Sequence, residues 1–173
     1  MYKKTLKSRL CNRKSIPLSI PQHLSKKIVN LSKSSESVAY GFILAAMQIL
    51  LSRYSGNEDV VIGASCIAHK RGILPFRTLL DDQQSFHSFY QGVIESLEQD
   101  SRQVCELPLL LSILDIVKSD SRCELFDMLV LLDNSYPDIT IDSLRCDIAL
   151  RLRIEGEGIK GELEYNALLF RTE

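Results

Sequence analysis

Residues 38–51, VAYGFILAAMQILL, are apolar on almost every side of a helix. A helix of that kind has to be buried on several faces, so it needs other elements around it. The spacing predicts a helix over about 37–53. The preceding SSES stretch supplies N-cap candidates, and Gly56 is placed to end it as a left-handed C′ residue. Gly41 and the Ala45–Ala46 pair invite close approach by a neighbour. The run is shorter than the roughly 20 residues a bilayer span requires, so no membrane span is expected.

A chain of 173 residues with 45% hydrophobic and 25% charged residues suits one globular domain with a substantial core. It carries 21 basic and 22 acidic residues, for a net charge of −1. A dedicated nucleic-acid binder is usually basic over the whole domain, so that class is excluded. The cysteines are Cys11, Cys66, Cys105, Cys123 and Cys146, an odd set without CxxC spacing. They read as small buried thiols, with neither a zinc site nor a disulfide framework. The first apolar run follows residue 37, so no secretory signal opens the chain and a reducing cytoplasm is the expected compartment.

Around the apolar helix the other elements follow. Residues 1–15 hold Lys3, Lys4, Lys7, Arg9, Arg13 and Lys14 and no acidic residue, which reads as a basic, flexible start. SIPLSIP, 15–21, alternates and carries Pro17 and Pro21, so it is expected at a sheet edge. A short helix is predicted over 22–32. DVVIGAS, 59–65, reads as a buried strand, and LPFRTLL, 74–80, as a second strand. Residues 81–103 read as a long helix with Phe86, Phe89, Val93, Ile94 and Leu97 on one face, and Asp81–Asp82 as its cap. Helix 107–117 and strand 125–134 come next. CDIALRLRIEGEGIKGELEYN, 146–166, is a strict period-2 hairpin turning at EGEG. The sum is an α/β fold: a mixed β-sheet sandwich with packed helices.

Chemistry-bearing constellations are few. There is no GxSxG elbow and no GxxxxGK phosphate loop. His23 and His87 read as surface residues on helices. His69 follows a strand and neighbours Lys70 and Arg71, but no carboxylate nearby in sequence would orient it as a base. No catalytic, cofactor-binding or metal-binding residue is assigned.

The order of segments carries more information. LLSRYSGNEDVVIG resembles the LLxRxxGxxDVVxG pattern in the C-terminal lobe of nonribosomal peptide synthetase condensation domains, through Leu50, Leu51, Arg53, Gly56, Asp59, Val60, Val61 and Gly63, with Arg71 beyond. LPFRTLLDDQQSF is similar to that family's LPLRxxLDxxxSF. ELPLLLSILDIV resembles its YPFExLVExL helix. SDSRCELFDMLVLLDN resembles its RDxSRxPLFxVxFxxQN through Asp120, Ser121, Arg122, Leu125, Phe126 and Asn134, and LEYNALLF its LEYxxxLF.

The resemblance runs from Ile16 to Phe170 and implies one lobe of the chloramphenicol-acetyltransferase-like fold. A flexible segment, 1–15, would precede a lobe over 16–173. In that family two lobes enclose a tunnel. The second histidine of an HHxxxDG motif in the N-terminal lobe positions or deprotonates an amine that attacks a thioester on a phosphopantetheine arm. This sequence holds no HHxxxDG and no His-His pair, and only Gly72 and Ile73 separate Arg71 from Leu74, where the family has a longer tunnel-floor segment.

The resemblance therefore implies a truncated, non-catalytic condensation-like domain. It would serve as an interaction module in nonribosomal peptide or hybrid polyketide biosynthesis, with no cofactor of its own. Its expected partner is a carrier protein bearing phosphopantetheine, or a synthetase subunit. Lys3, Lys4, Lys7, Arg9, His69, Lys70 and Arg71 are the candidate docking residues. Two alternatives stay open. One is half of a split enzyme, forming amide or ester bonds once another chain supplies HHxxxDG. The other is a decayed fragment. A facing lobe or a second copy would complete the unpaired surface.

Overall fold

The structure, a computed structural model, describes residues 12–33, 35–66, 72–100, 107–116, 123–132 and 145–170. Within them lie strands β1 (Arg13–Ser19), β2 (Asp59–Ser65), β3 (Ile73–Leu79), β4 (Met128–Leu132), β5 (Ile148–Glu155) and β6 (Gly158–Asn166). The helices are α1 (Gln22–Leu31), α2 (Glu36–Ser55), α3 (Phe86–Asp100) and α4 (Leu107–Ile113). The strands form one six-stranded mixed sheet in the order β1-β6-β5-β4-β2-β3. β2, β4 and β5 run parallel in the middle, and antiparallel partners flank them.

Alternation sorts each strand between two cores. Ile62, Val130, Leu150, Leu152 and Ile159 face α1, α2 and α3 in the larger core. On the other face Leu129, Leu131 and Ala149 meet Phe126 and Cys123, with Leu107 of α4 packed alongside. The 123–126 segment thus crosses over the sheet as part of the second layer. The sequence reading took 125–134 as strand. Leu125 and Phe126 are instead crossing residues, because their side chains cover the sheet.

β1 is an edge strand and tolerates Pro17 for the expected reason. It begins at Arg13, so Arg13, Lys14 and Ser15, read from sequence as flexible, pair with Asn166, Tyr165 and Glu164.

α2 has Ser35 at its N-cap position, without a side-chain capping bond, and ends at Gly56 in the left-handed region (φ 71°). At 20 residues it is longer than the apolar run and reaches spanning length, which corrects the expectation that it is too short. It is nonetheless a core helix, since Ala39, Tyr40, Ile43, Leu44 and Ala45 are buried. α3 crosses it closely at Gly41, where an added Cβ would lie 2.3 Å from Ile94 Cδ1. The cover is incomplete, however: Leu50 and Tyr54 are exposed.

α3 starts at Phe86, five residues after Asp81. Asp81 builds a turn of its own, its Oδ1 accepting from Gln83 N–H at 2.9 Å. The helix is capped instead by Ser85, whose Oγ accepts from Ser88 N–H at 3.2 Å. α4 ends in a Schellman-type closure at Asp115 (φ 54°), with Ile116 N–H donating to Leu111 O at 2.9 Å.

Candidate functional site

Several of the family-like motifs meet at the β2–β3 hairpin, where Asp59, Gly63, Arg77 and Phe126 each have a physical task. Asp59 opens β2. Across the hairpin Arg77 grips its carboxylate with two nitrogens, Nε donating to Oδ1 at 2.9 Å and Nη2 to Oδ2 at 2.7 Å. The two come from separate motifs, 18 residues apart. The Arg77 hydrogen bonds hold the Asp59 carboxyl below the usual carboxylate range, and Asp59 raises Arg77 in turn. Asp59 therefore contributes stability above the carboxylate range of the unfolded chain and loses it as pH falls through its lower folded value. Asp59→Asn is expected to remove a small part of the acid-induced loss of stability. Urea midpoints at pH 3–7 check this, and parallel curves for both proteins would refute it.

Gly63 lies beneath the crossing segment. A Cβ there would fall 2.4 Å from Phe126 Cε2 and 2.8 Å from Leu129 Cδ1. Gly63 and Phe126 also belong to different motifs, so that resemblance encodes a backbone–ring contact.

At the C-terminal ends of the parallel strands the ladder between β2 and β4 covers only Gly63↔Leu129 and Ala64↔Val130. Side chains continue the join. The fully buried Tyr40 hydroxyl donates to Val130 O at 2.8 Å and accepts from Ser65 N–H at 2.7 Å. The Ser65 Oγ accepts from Leu132 N–H at 3.0 Å. Sequence reading missed this clamp. Tyr40 sits in an apolar helix, and only the fold brings it to a sheet 90 residues away.

Beyond Ser65 the hairpin closes at once. Ile73 pairs with Ser65, and Cys66 N–H donates to Gly72 O at 2.9 Å. Residues 67–71, with His69, Lys70 and Arg71, lie outside the described residues, as do Lys3, Lys4, Lys7 and Arg9. So do Asp120, Ser121, Arg122 and Asn134. His23 and His87 are exposed on α1 and α3. Among the described residues no three metal-type ligands come together.

Two surface concavities lie wholly among the described residues. One, of about 480 Å³, lies between α2 and the start of α3, with Ala46, Ile49 and Phe86 in its wall and Arg53, Asp81 and Asp82 along it. The other, of about 320 Å³, lies on the charged half of the sheet's second face near Arg151, Arg153, Lys160 and Glu162. There Arg151 Nε pairs with Glu164 Oε1 at 3.0 Å.

No family model matches the chain. Among curated proteins it is 28% identical over 183 residues to bacitracin synthase 3 of Bacillus licheniformis, covering 91% of the chain. It is 26% identical over 169 residues to tyrocidine synthase 3 of Brevibacillus parabrevis, covering 83%. The chain spans about 3% of the length of each of these relatives.

Solved structures share the fold. A four-domain nonribosomal peptide synthetase matches with TM-score 0.74 at 16% identity, over 90% of this chain and 15% of that one. The X-domain of teicoplanin biosynthesis, solved in complex with OxyB, matches with TM-score 0.70 at 18% identity, over 90% and 40%. The condensation domain of the monacolin K polyketide synthase matches with TM-score 0.69 at 14% identity, over 99% and 46%. By sequence the chain is similar to short stretches of nonribosomal peptide synthetases, and it shares the fold of part of the solved condensation domains.

Proposed function

We propose that this chain is a non-catalytic condensation-like lobe that docks a carrier protein or synthetase subunit during nonribosomal peptide biosynthesis in the cytoplasm. The observation that carries this reading is the immediate closure of β2 onto β3. Only five residues, 67–71, join Cys66 to Gly72 in the sequence, fewer than the segment that shapes a tunnel floor in the resembling family. The matched motif residues support it further. Gly56, Asp59, Gly63, Arg77 and Phe126 cap a helix, pair strands and pack a ring, all tasks that maintain a lobe without chemistry. The X-domain structure offers a parallel, being a domain of this fold captured with a protein partner.

The test mixes the purified chain with phosphopantetheinylated carrier proteins, loaded with donor and acceptor aminoacyl groups. Calorimetry reads binding and mass spectrometry reads product. Binding without amide formation is expected, in the micromolar range typical of transient interfaces. Replacing Lys70 and Arg71 by Glu is expected to weaken binding about tenfold, because a basic loop facing an acidic carrier loses its complementarity. Absence of binding to every carrier overturns the docking reading. Product formed after adding a chain that bears HHxxxDG overturns the non-catalytic one in favour of a split enzyme.

A further inference from the structure

We propose that Cys123 and Cys146 are a thiol–disulfide exchange site, closing reversibly into an intramolecular disulfide at the expense of a low-molecular-weight disulfide. The two residues lie on neighbouring segments, 123–127 and 145–148, that run side by side on the second face of the sheet. Cys123 N–H donates to Arg145 O at 3.1 Å, and Asp147 and Ile148 N–H groups donate to Asp127 O at 2.9 and 3.1 Å. The backbones are thus fastened at both ends, with the two thiols in hydrogen-bond contact between them. Both are buried thiols outside any disulfide, Cys123 at 6% exposure and Cys146 at 2%.

The surroundings divide the work between the two sulfurs. The Cys123 sulfur accepts from the Cys146 thiol and from the Leu125 and Phe126 N–H groups, which together bring it down to about 6 against burial and Glu124. Cys146 moves the other way, through its bond to Cys123, burial and Asp127, with the Arg13 guanidinium opposing. Arg13 is held there by its own bond from Nη2 to Cys146 O at 2.8 Å. With the Leu125 and Phe126 N–H groups directed at its sulfur, Cys123 is the nucleophile and Cys146 the resolving thiol.

The Cys123 thiolate attacks one sulfur of RSSR. A Cys123–SR bond forms, the S–S bond of the reagent breaks, and RS⁻ leaves. Cys146 then loses its proton to solvent and displaces the second RS⁻ from Cys123. Two protein thiols are oxidised by two electrons, and one reagent disulfide becomes two thiols. The bridge ties the crossing segment, and with it the Phe126 ring over Gly63, to the start of β5.

The full chain is equilibrated in glutathione buffers from fully reduced to fully oxidised. Free thiols are then trapped with iodoacetamide and mapped by peptide mass spectrometry. A peptide linked through Cys123 and Cys146 is expected, reversed by dithiothreitol, with a melting temperature about 5 °C higher in the bridged form. In the reduced chain Cys123 is expected to be alkylated faster than Cys146, with a rate rising through pH about 6. Cys146→Ala is expected to stop at a mixed disulfide on Cys123. The proposal is overturned if both residues stay alkylatable at the oxidised end, or if the link appears only in urea. It is equally overturned if each takes up glutathione independently in the unsubstituted chain, a readout that needs no variant to fold.

Discussion

Tyr40→Phe is expected to lower the stability of the chain by about 2–4 kcal/mol, although it removes a single oxygen atom. That hydroxyl is the partner of two buried backbone groups, the Val130 carbonyl and the Ser65 N–H. Phenylalanine keeps the ring and its packing but leaves both groups unsatisfied in a site with no solvent exposure at residue 40. Each orphaned buried group costs about 1–3 kcal/mol. The loss should be local as well as global, since the clamp continues the β2–β4 join beyond the two paired positions. Denaturant midpoints measure the first effect, and hydrogen exchange at the Ser65 amide measures the second. A change below about 1 kcal/mol with unaltered Ser65 protection would show that the clamp is dispensable.

Gly63→Val should cost about 3 kcal/mol or more, at the upper end of what overpacking does to a filled core. Already the first added carbon would sit inside contact distance of the Phe126 ring and of Leu129, and Leu129 is fully buried with nowhere to move. Phe126→Ala alone is expected to cost about 3–5 kcal/mol through the cavity it leaves. In the double variant the valine occupies part of that cavity, so the combined loss is expected to fall short of the sum by at least 1 kcal/mol. Chemical denaturation of all four proteins closes the cycle. Strict additivity would mean that ring and glycine do not share space.

Local pattern made much of the architecture readable. The β5–β6 hairpin follows from strict alternation with turn residues between, since a strand with one buried face leaves no other register. Gly56 could be named as a helix end because the left-handed conformation it adopts is costly for other residues. β2 was readable over its full length, Asp59–Ser65, from β-branching. Boundaries slipped where a polar residue had two competing uses. Asp81 serves a turn rather than α3, and Leu125 and Phe126 serve the crossing layer rather than β4. An apolar side chain that lies across a sheet and one that lies within it look alike in sequence.

The site was legible in its residues and not in their partnerships. Asp59, Arg77, Gly63 and Phe126 stood out by resemblance, yet their pairing depends on the hairpin register and on the route of the crossing segment. Tyr40 and the Cys123–Cys146 contact carried no signal at all, because neither has a sequence-local partner. From the sequence alone came the α/β class, the element types and the edge position of β1, all properties set by local periodicity and short-range sterics. Only the tertiary structure decided the strand order, which face of the sheet the 123–126 segment covers, how β2 closes onto β3, and which two thiols meet. Those are contacts between residues far apart in the chain, chosen by how whole surfaces fit once the apolar helix has been buried.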